Sequence, residues 1–300
     1  MEDAVEPFLI ETCGLRGRLL RLGPLLDTVL GRHAYPPVAA GLMGELLALT
    51  GLLASMLKYE GVFSLQTKGD GPISLMVADV TAAGDLRGFA QIDEAALAQL
   101  LEQSGGVPSL PHLLGRGYLA FTVDQGVHSE RYQGIVELNG ATLTDCVHHY
   151  FSQSEQLKTV VKLAAGQVDG KWRAGAIMLQ RMPPEEAAAQ DLTEEAAEEG
   201  WRRGCAFLAS CTAEELLDPG LAPNRLLYRL FHEDGVRVFE PRPLAVGCRC
   251  SRERVAKILA SLPRDSLEEY KIEDAVVMTC QFCNIDYRFD DSDLEKILAP

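Results

Sequence analysis

VAAGLMGELLALTGLLASML, residues 38–57, is a long apolar stretch in which Glu45 is the only charged residue. A helix that is apolar on every side is either a membrane span or the buried core helix of a globular fold. Three glycines dilute its apolarity, Glu45 lies well inside it, and no second stretch of comparable length follows. We therefore predict a helix buried at the centre of a globular fold, with Glu45 in a buried hydrogen bond.

Downstream of this helix, short runs of alternating apolar and polar residues are separated by turn residues, a pattern typical of antiparallel sheet. The turn residues Asp169-Gly170 predict a hairpin between two such runs. A helix over 142–157, with Thr142 or Thr144 near its cap, interrupts the strands. We predict an α+β domain of helices and antiparallel hairpins over residues 1–183. Its predicted strands include 62–67, 73–80, 118–124 and 131–138.

The composition changes at Pro183-Pro184, which marks a domain boundary. Residues 184–200 carry seven acidic side chains and no basic one. Helical segments broken by Pro and Gly continue to about residue 247. We predict an acidic, metastable helical linker over 184–247. It is apolar enough to pack against a neighbouring domain and charged enough to detach from it. The acidic residues are Glu185, Glu186, Asp191, Glu194, Glu195, Glu198 and Glu199.

The charge of the whole chain limits its partners and its compartment. A formal net charge of -15 and no basic block argue against binding to nucleic acid, which relies on a clustered basic surface. The acidic N-terminus lacks the basic and apolar regions of an export signal, so we expect a cytoplasmic protein. In that reducing compartment, paired cysteines more often bind metal or do redox chemistry than form static bridges.

Two cysteine pairs lie in the last sixth of the chain. Cys248 and Cys250 are one residue apart, and Cys280 and Cys283 follow after 29 intervening residues in Cys-x-x-Cys spacing. Four thiolates fill every position of a tetrahedral zinc ion, so the predicted site is structural and holds one Zn²⁺. Residues 248–300 are too few to expect ample stability from burial alone, and a metal staple is the usual remedy. We predict a small C-terminal zinc-binding module over 248–300.

The same thiolates are targets for oxidants. Peroxide or hypochlorous acid converts a cysteine to sulfenic acid, which a neighbouring thiol captures as a disulfide. Cys280 with Cys283 is well placed for that reaction, and Cys248 with Cys250 can close a tight, strained ring. Each pair serves as metal ligands or as a disulfide, but not both. Loss of zinc, unfolding of the module and exposure of apolar surface would then be coupled.

The chain resembles the heat-shock protein 33 family of redox-regulated holdase chaperones over almost its whole length. CRCSRER and CQFCN carry the family's Cys-x-Cys and Cys-x-x-Cys arrangement. Other segments occur in the family's order: HAYPPVAAGLMGELLALTGLLASMLKYEG, SLQTKGDGPISLMV, RYQGIVEL, YFSQSEQL, GQVDGKWRAGAIMLQRMP and LLYRLFHEDGVRVFEPRP.

The resemblance implies an inactive, monomeric, zinc-bound reduced form. Oxidative stress, often with heat, would release zinc, form the disulfides Cys248–Cys250 and Cys280–Cys283, and destabilise the linker. The opened protein would dimerise and hold unfolding client proteins without ATP. The sequence contains no phosphate loop, because Lys-Gly-Asp-Gly-Pro lacks the required Lys-Ser/Thr and precedes a strand. We expect no nucleotide, nucleic acid or membrane partner and no enzymatic activity.

The remaining cysteines suggest no second site. On a helix Cys146 and His149 share a face while His148 points elsewhere, so we interpret this segment as a partly exposed polar helix and not as a metal site. Cys205 and Cys211 are expected to be core or linker thiols, and Cys13 is isolated.

Two other functions are compatible with the cysteine pattern. A constitutive structural zinc ribbon would dock a protein or nucleic acid, although residues 248–300 carry 8 Lys/Arg against 11 Asp/Glu. A thiol-disulfide oxidoreductase using Cys280 and Cys283 would normally have a βαβ context, which the sequence does not indicate.

Overall fold

A computed structural model describes residues 2–125, 132–154, 158–183, 192–263, 267 and 270–298. The chain divides into two compact units, Met1–Val246 and Gly247–Pro300. The predicted N-terminal domain and, up to Val246, the predicted linker lie together in the first unit. That the linker can detach from the N-terminal domain stays a prediction. Several residues of predicted features lie outside the described residues: Arg131, residues 155–157, and the acidic residues Glu185, Glu186 and Asp191.

The long apolar segment forms helix α2 (Pro37–Ala54) at the centre of the first unit. It packs against strands of two different sheets, and 78% of it is buried. That burial accounts for its apolar composition. The helix ends three residues before the predicted 57, because Met56 and Leu57 donate backbone hydrogen bonds three residues back instead of four.

Two sheets enclose α2, and their strands pair antiparallel except for β12, which pairs parallel with β5. Among the described residues, the first sheet has the order β10-β1-β2-β9-β8, with β11 also paired to β1, and the second has the order β12-β5-β4-β3-β6-β7. The strands of the first sheet are β1 (Ala4–Ile10), β2 (Leu15–Leu22), β8 (Thr159–Val168), β9 (Lys171–Arg181), β10 (Arg237–Val238) and β11 (Arg242–Pro243). Those of the second are β3 (Val62–Gly69), β4 (Ile73–Thr81), β5 (Asp85–Ile92), β6 (Gly117–Asp124), β7 (Tyr132–Glu137) and β12 (Ala245–Val246).

The predicted strands correspond to β3, β4, β6 and β7, and the predicted hairpin at Asp169-Gly170 joins β8 to β9. Both turn residues have positive φ, 51° and 72°, which Asp and Gly tolerate better than most residues. The sequence interpretation did not assign β1 and β2, which form the middle of the first sheet with β9.

Shorter helices complete the first unit. Thr142 caps α5 by accepting a 3.1 Å hydrogen bond from the Asp145 backbone N–H, as predicted. Helices α6 to α8 come from the predicted linker and cover the face of the first sheet opposite α2, where Phe8 stacks on Phe231 with ring centroids 5.7 Å apart. The helices are α1 (Pro24–Leu30), α3 (Glu94–Ser104), α4 (Leu110–Leu114), α5 (Leu143–Ser154), α6 (Glu194–Ala209), α7 (Ala213–Leu217) and α8 (Pro223–Phe231).

Glu45 lies on the strip of α2 that is only partly buried. The predicted hydrogen bond of Glu45 is not found within the part of the chain that the structure describes. Burial alone raises the pKa of Glu45 to about 7. The helix thus accommodates this carboxyl group through partial exposure and ready protonation.

The second unit is a small sheet flanked by helices. Strands β13 (Lys271–Ile272), β14 (Ala275–Thr279) and β15 (Asp286–Asp290) pair antiparallel in that order. Helices α9 (Arg252–Ala260) and α10 (Asp291–Ile297) pack with the sheet around a small core. The buried residues of that core are Val255, Leu259, Leu267, Val276, Phe289 and Leu294.

Candidate metal centre

The turn between β14 and β15 presents Cys280 and Cys283. Cys280 donates its backbone N–H to the Ile285 carbonyl at 3.0 Å, and its own carbonyl accepts from the Asn284 N–H at 2.8 Å. Asn284 has φ of 58°, a left-handed conformation that Asn tolerates better than most residues. These bonds close a tight turn that brings the two thiols to the same end of the hairpin.

The other two thiols precede α9. Cys248 and Cys250 lie in an extended segment that ends at Ser251, whose hydroxyl caps the helix by accepting from the Arg254 N–H at 3.2 Å. This cap fixes the point at which the extended segment becomes helix.

Arg252 ties α9 to the rest of the second unit. Its guanidinium lies 4.3 Å from the ring centroid of Phe289 and pairs with Asp293 at 2.6 Å. It also donates to the Arg288 carbonyl at 2.7 Å. One side chain therefore connects the start of α9 with β15 and α10, which positions the first cysteine pair against the second.

All four Sγ atoms lie within 4.8 Å of one another. Cys248 and Cys280 are 3.6 Å apart, and Cys250 and Cys283 are 3.4 Å apart. Zinc–sulfur bonds of about 2.3 Å in a tetrahedron place ligand sulfurs about 3.8 Å apart. The cluster therefore has the donor type, the number of donors and nearly the spacing of a tetrathiolate zinc site, and it could hold a metal ion.

Backbone groups and neighbouring thiols favour ionisation of Cys248 but not of Cys283. Burial works to raise the pKa of Cys248, but hydrogen bonds from the Cys250 N–H and the other three thiols outweigh it and lower that pKa to about 6. Burial and the neighbouring thiols raise the pKa of Cys283, although the Ile285 N–H opposes them. The Cys248 thiolate is thus stabilised by hydrogen bonds from its neighbours, and a bound cation would favour ionisation of all four thiols.

Tyr287 is a site residue that the sequence interpretation did not identify. Its hydroxyl donates to Cys250 Sγ at 3.1 Å from β15. The only available signal was the strand alternation of Ile285, Tyr287 and Phe289, which places Tyr287 on one face of β15 but does not indicate what it contacts.

Among the described residues, the four-cysteine cluster is the group of three or more Cys, His, Asp or Glu side chains that could hold a metal ion. The remaining cysteines belong to no such group. Cys146 is fully buried on α5, so this helix is less polar than predicted. His148 Nε2 accepts the Val161 backbone N–H at 2.9 Å, a structural role. Cys211 is buried and Cys205 is half-buried, as expected for core or linker thiols.

Cys13 makes a contact that the sequence interpretation did not identify. Its buried Sγ lies 3.3 Å from an Arg203 nitrogen on α6, and Arg203 also pairs with Asp234. Sequence distance hid this contact, because 190 residues separate the thiol from the arginine.

Comparison with known proteins gives a consistent result. A family model described as Hsp33 protein matches residues 3–290. The 33 kDa chaperonin of Caulobacter vibrioides (strain NA1000 / CB15N) is 38% identical over 296 residues, covering 97% of this chain and 95% of the relative. That of Ectopseudomonas mendocina (strain ymp) is 39% identical over 301 residues, covering 100% and 96%.

A solved structure shows the same fold. The crystal structure of the 33 kDa chaperonin (heat shock protein 33 homolog) from Thermotoga maritima matches with a TM-score of 0.81 at 21% identity. The match covers 99% of this chain and 98% of that one. The mixed α/β architecture is therefore shared over the full length.

Proposed function

This chain belongs to the Hsp33 protein family, and from that premise we propose that it is a redox-regulated, ATP-independent holdase that binds unfolding proteins under oxidative stress. The observation that carries the redox part of the proposal is the convergence of four Sγ atoms within 4.8 Å, in a unit whose apolar core is small. A holdase of this kind is a binding protein and not an enzyme.

In the reduced form, Cys248, Cys250, Cys280 and Cys283 hold one structural Zn²⁺ as thiolates. The ion, when bound, supplies a closed tetrahedral cross-link with no open position for a substrate. The thiolates close the 29-residue segment between the two pairs and so fasten α9 to the β14–β15 turn. Because the core of the second unit is small, a large share of its folding free energy comes from these ligands.

Oxidation removes the ligands. Hydrogen peroxide oxidises a thiolate to sulfenic acid and is itself reduced to hydroxide. A neighbouring thiol then attacks the sulfenic sulfur, forms the disulfide and releases water. Two such two-electron reactions yield Cys248–Cys250 and Cys280–Cys283. Local disulfides of this kind leave the two pairs unconnected, so the second unit unfolds and the linker over 184–247 is destabilised.

The partners follow from this cycle. The reduced protein is a monomer, and the oxidised protein is a homodimer that binds unfolded client proteins through newly exposed apolar surface. The proposal includes no nucleotide, nucleic acid or membrane partner and places the protein in the cytoplasm. The high negative charge of the chain supports the exclusion of nucleic acid.

The test follows light scattering of an unfolding client in the presence of reduced or peroxide-treated protein. We expect suppression of scattering by the oxidised form only, together with release of one zinc ion per chain. Equal suppression by both forms, or none by either, would contradict the proposal. Retention of zinc after peroxide treatment would instead support a constitutive structural zinc ribbon that docks proteins.

A further inference from the structure

Strand β7 is an open edge of the second sheet. Among the described residues, it pairs with β6 on one side and with no strand on the other. Its sequence, YQGIVE, contains neither Lys nor Pro, and its register with β6 is continuous. Natural proteins commonly use Lys, Pro or a bulge to protect such an edge from pairing with another chain. The largely exposed backbone of β7 therefore presents a template for one more strand.

The first residue of β7 belongs to a row of side chains that crosses the sheet. Tyr132 pairs with Val123 of β6, and Val123 pairs with Phe63 of β3. Directly paired residues project from the same side of a sheet, which here is the side that packs around α2. Tyr132 ends the row and is 60% exposed. A strand added to β7 would place a fourth side chain in this row, next to Tyr132.

The same row lines a pocket of about 210 Å³ between the two sheets. Further walls come from the end of α2 and from α5, where Tyr150 stacks on Phe121 of β6 with ring centroids 4.3 Å apart. Its most exposed lining residues are Tyr132 and Leu57, which is 43% exposed. An apolar cavity of about 150 Å³ binds benzene, so this pocket has room for one aromatic side chain.

The chemistry of the lining favours an uncharged aromatic group. Arg16 and Gln180 are its polar side chains apart from the tyrosines, and Arg16 Nε donates to Gln180 Oε1 at 2.8 Å. The buried Gln180 also donates from its amide nitrogen to the Thr159 hydroxyl at 3.1 Å. The other lining side chains are apolar or aromatic. Aromatic rings gain free energy from packing against rings of this kind, beyond the area that they bury.

The site lies outside the parts of the chain that oxidation is proposed to release. Strand β7 and every lining residue of the pocket precede residue 183. The site is therefore present in the reduced and in the oxidised protein. A single short strand binds weakly by itself, and a long client gains affinity when a second surface, exposed by oxidation, binds it at the same time.

We propose that β7 and the adjoining pocket bind extended segments of client proteins, which pair with the β7 edge and insert one aromatic side chain beside Tyr132. In this mode of recognition, backbone hydrogen bonds supply affinity and the side-chain pocket supplies specificity. The inference rests on the proposed holdase function. It assigns one class of client segment, an extended strand with an aromatic residue, to a defined surface.

The test uses the full chain, reduced and peroxide-treated, with fluorescein-labelled peptides of β-forming sequence. One peptide has a central Phe, and a second has Ala in its place. Two more keep the Phe and carry N-methyl groups on alternate amides, along one edge or the other. Fluorescence anisotropy gives each Kd for the wild type, Tyr132→Ser and Leu57→Ser. Val107→Ser is the matched control, because Val107 is 88% exposed elsewhere in the first unit.

We expect the Phe peptide to bind at least about tenfold more tightly than the Ala peptide in both redox states. Each pocket variant should remove most of this preference, a comparison that isolates the contact with the Phe ring. At least one N-methyl peptide should bind about tenfold more weakly than the Phe peptide. Both substituted side chains are partly exposed, so the variants should fold, and Val107→Ser should bind as the wild type does.

Equal binding of the Phe and Ala peptides, or a Phe preference that survives in both pocket variants, would overturn the inference. Binding of both N-methyl peptides as tight as that of the Phe peptide would also overturn it, because strand pairing needs those amides. N-acetylphenylalanine amide that binds as tightly as the Phe peptide would assign the pocket to small aromatic molecules and overturn the inference as well.

Client scattering measured on the same samples separates this result from the holdase proposal. A wild type that suppresses scattering after oxidation but does not prefer the Phe peptide contradicts only the assignment of the β7 site. A wild type that suppresses no scattering in either redox state contradicts the holdase itself, whatever the peptides do.

Discussion

The hydroxyl of Tyr287 donates a 3.1 Å hydrogen bond to the Sγ atom of Cys250. This bond raises the pKa of Tyr287 to about 12, so the hydroxyl keeps its proton and remains a donor at physiological pH. The ring itself packs against the core of the second unit. Tyr287 therefore links the small core to one sulfur of the cluster and delocalises the negative charge that a thiolate would carry there.

Removal of this hydroxyl should weaken metal binding without unfolding the unit. Tyr287→Phe keeps the ring and loses only the donor. Hydrogen bonds to ligand atoms outside the coordination sphere typically contribute about 10- to 100-fold in metal affinity. We expect a Kd for zinc higher by about tenfold or more, measured by competition with a chromogenic chelator, and faster zinc release by peroxide.

Tyr270→Phe is the control for that substitution. Tyr270 lies in the same unit but is 43% exposed, so loss of its hydroxyl should leave zinc affinity unchanged. Equal zinc affinity in the wild type and Tyr287→Phe would show that the hydrogen bond does not support the ligand.

The second unit should depend on its metal for folding. Cys283→Ser removes one ligand, and structural zinc contributes on the order of 10 kcal/mol to the folding of small domains. We expect no bound zinc and rapid proteolysis after residue 247. Cys205→Ser alters a half-buried thiol on α6 and should keep one zinc per chain. A protease-resistant second unit in the zinc-free variant would contradict this dependence.

Close packing of α6 against Cys13 should set the peroxide concentration at which client-binding surface becomes exposed. A Cβ at Gly200 would lie 2.8 Å from the Cα of Cys13, which is backbone and cannot move aside cheaply. Leu is a better helix former than Gly, so any loss of stability in Gly200→Leu reports on packing and not on helix propensity. We expect docking of α6 to lose about 1–3 kcal/mol. Amide exchange along Glu194–Ala209 should accelerate, and client scattering should be suppressed at lower peroxide concentrations.

Arg202→Leu introduces the same side chain at an exposed position of α6 and serves as the control. It should leave exchange along the helix close to that of the wild type. Unaltered exchange in Gly200→Leu would mean that the contact between α6 and Cys13 does not limit the release of the helix.

The pH dependence of stability should carry a contribution from Glu45. Its folded pKa of about 7 is higher than its ordinary value of 4.5, so the folded state binds more protons than the unfolded state between these two pH values. Stability from this group is fully present below about pH 4.5 and is lost as the pH rises through about 7. Glu45→Gln should therefore be more stable than the wild type at pH 8, by at most about 3 kcal/mol, with little difference at pH 4.5.

Urea denaturation of the wild type and Glu45→Gln at both pH values measures this difference. Glu60→Gln, at an exposed position, should show none. A Glu45→Gln variant that is less stable than the wild type at pH 8 would mean that the carboxylate has a stabilising partner.

The sequence was most informative where a single local pattern determines structure. The apolar segment around Glu45 predicted α2, and Asp169-Gly170 predicted the β8–β9 hairpin, because helix burial and turn chemistry depend on neighbouring residues. Cysteine spacing likewise predicted which thiols would converge, since two tight pairs bring four ligands together at low entropic cost.

Contacts that depend on distant parts of the chain could not be found in this way. Strand β2 has arginines on the same face that packs near α2. Apolar and polar residues therefore do not alternate regularly along β2, and its sequence does not indicate a strand with one buried and one exposed face. Tyr287 contacts Cys250 across 37 residues, and Cys13 contacts Arg203 across 190. No local pattern specifies such pairs, because the fold alone brings them together.

The central claim is that the second unit remains folded only while four thiolates hold one metal ion. Amide hydrogen exchange, thiol counting and zinc release, followed together during peroxide treatment, test it most directly. We predict that β14 and β15 lose protection at the rate at which zinc leaves and two disulfides form per chain, while α2 remains protected. Retained protection of β14 and β15 after all four thiols have become disulfides would contradict the claim.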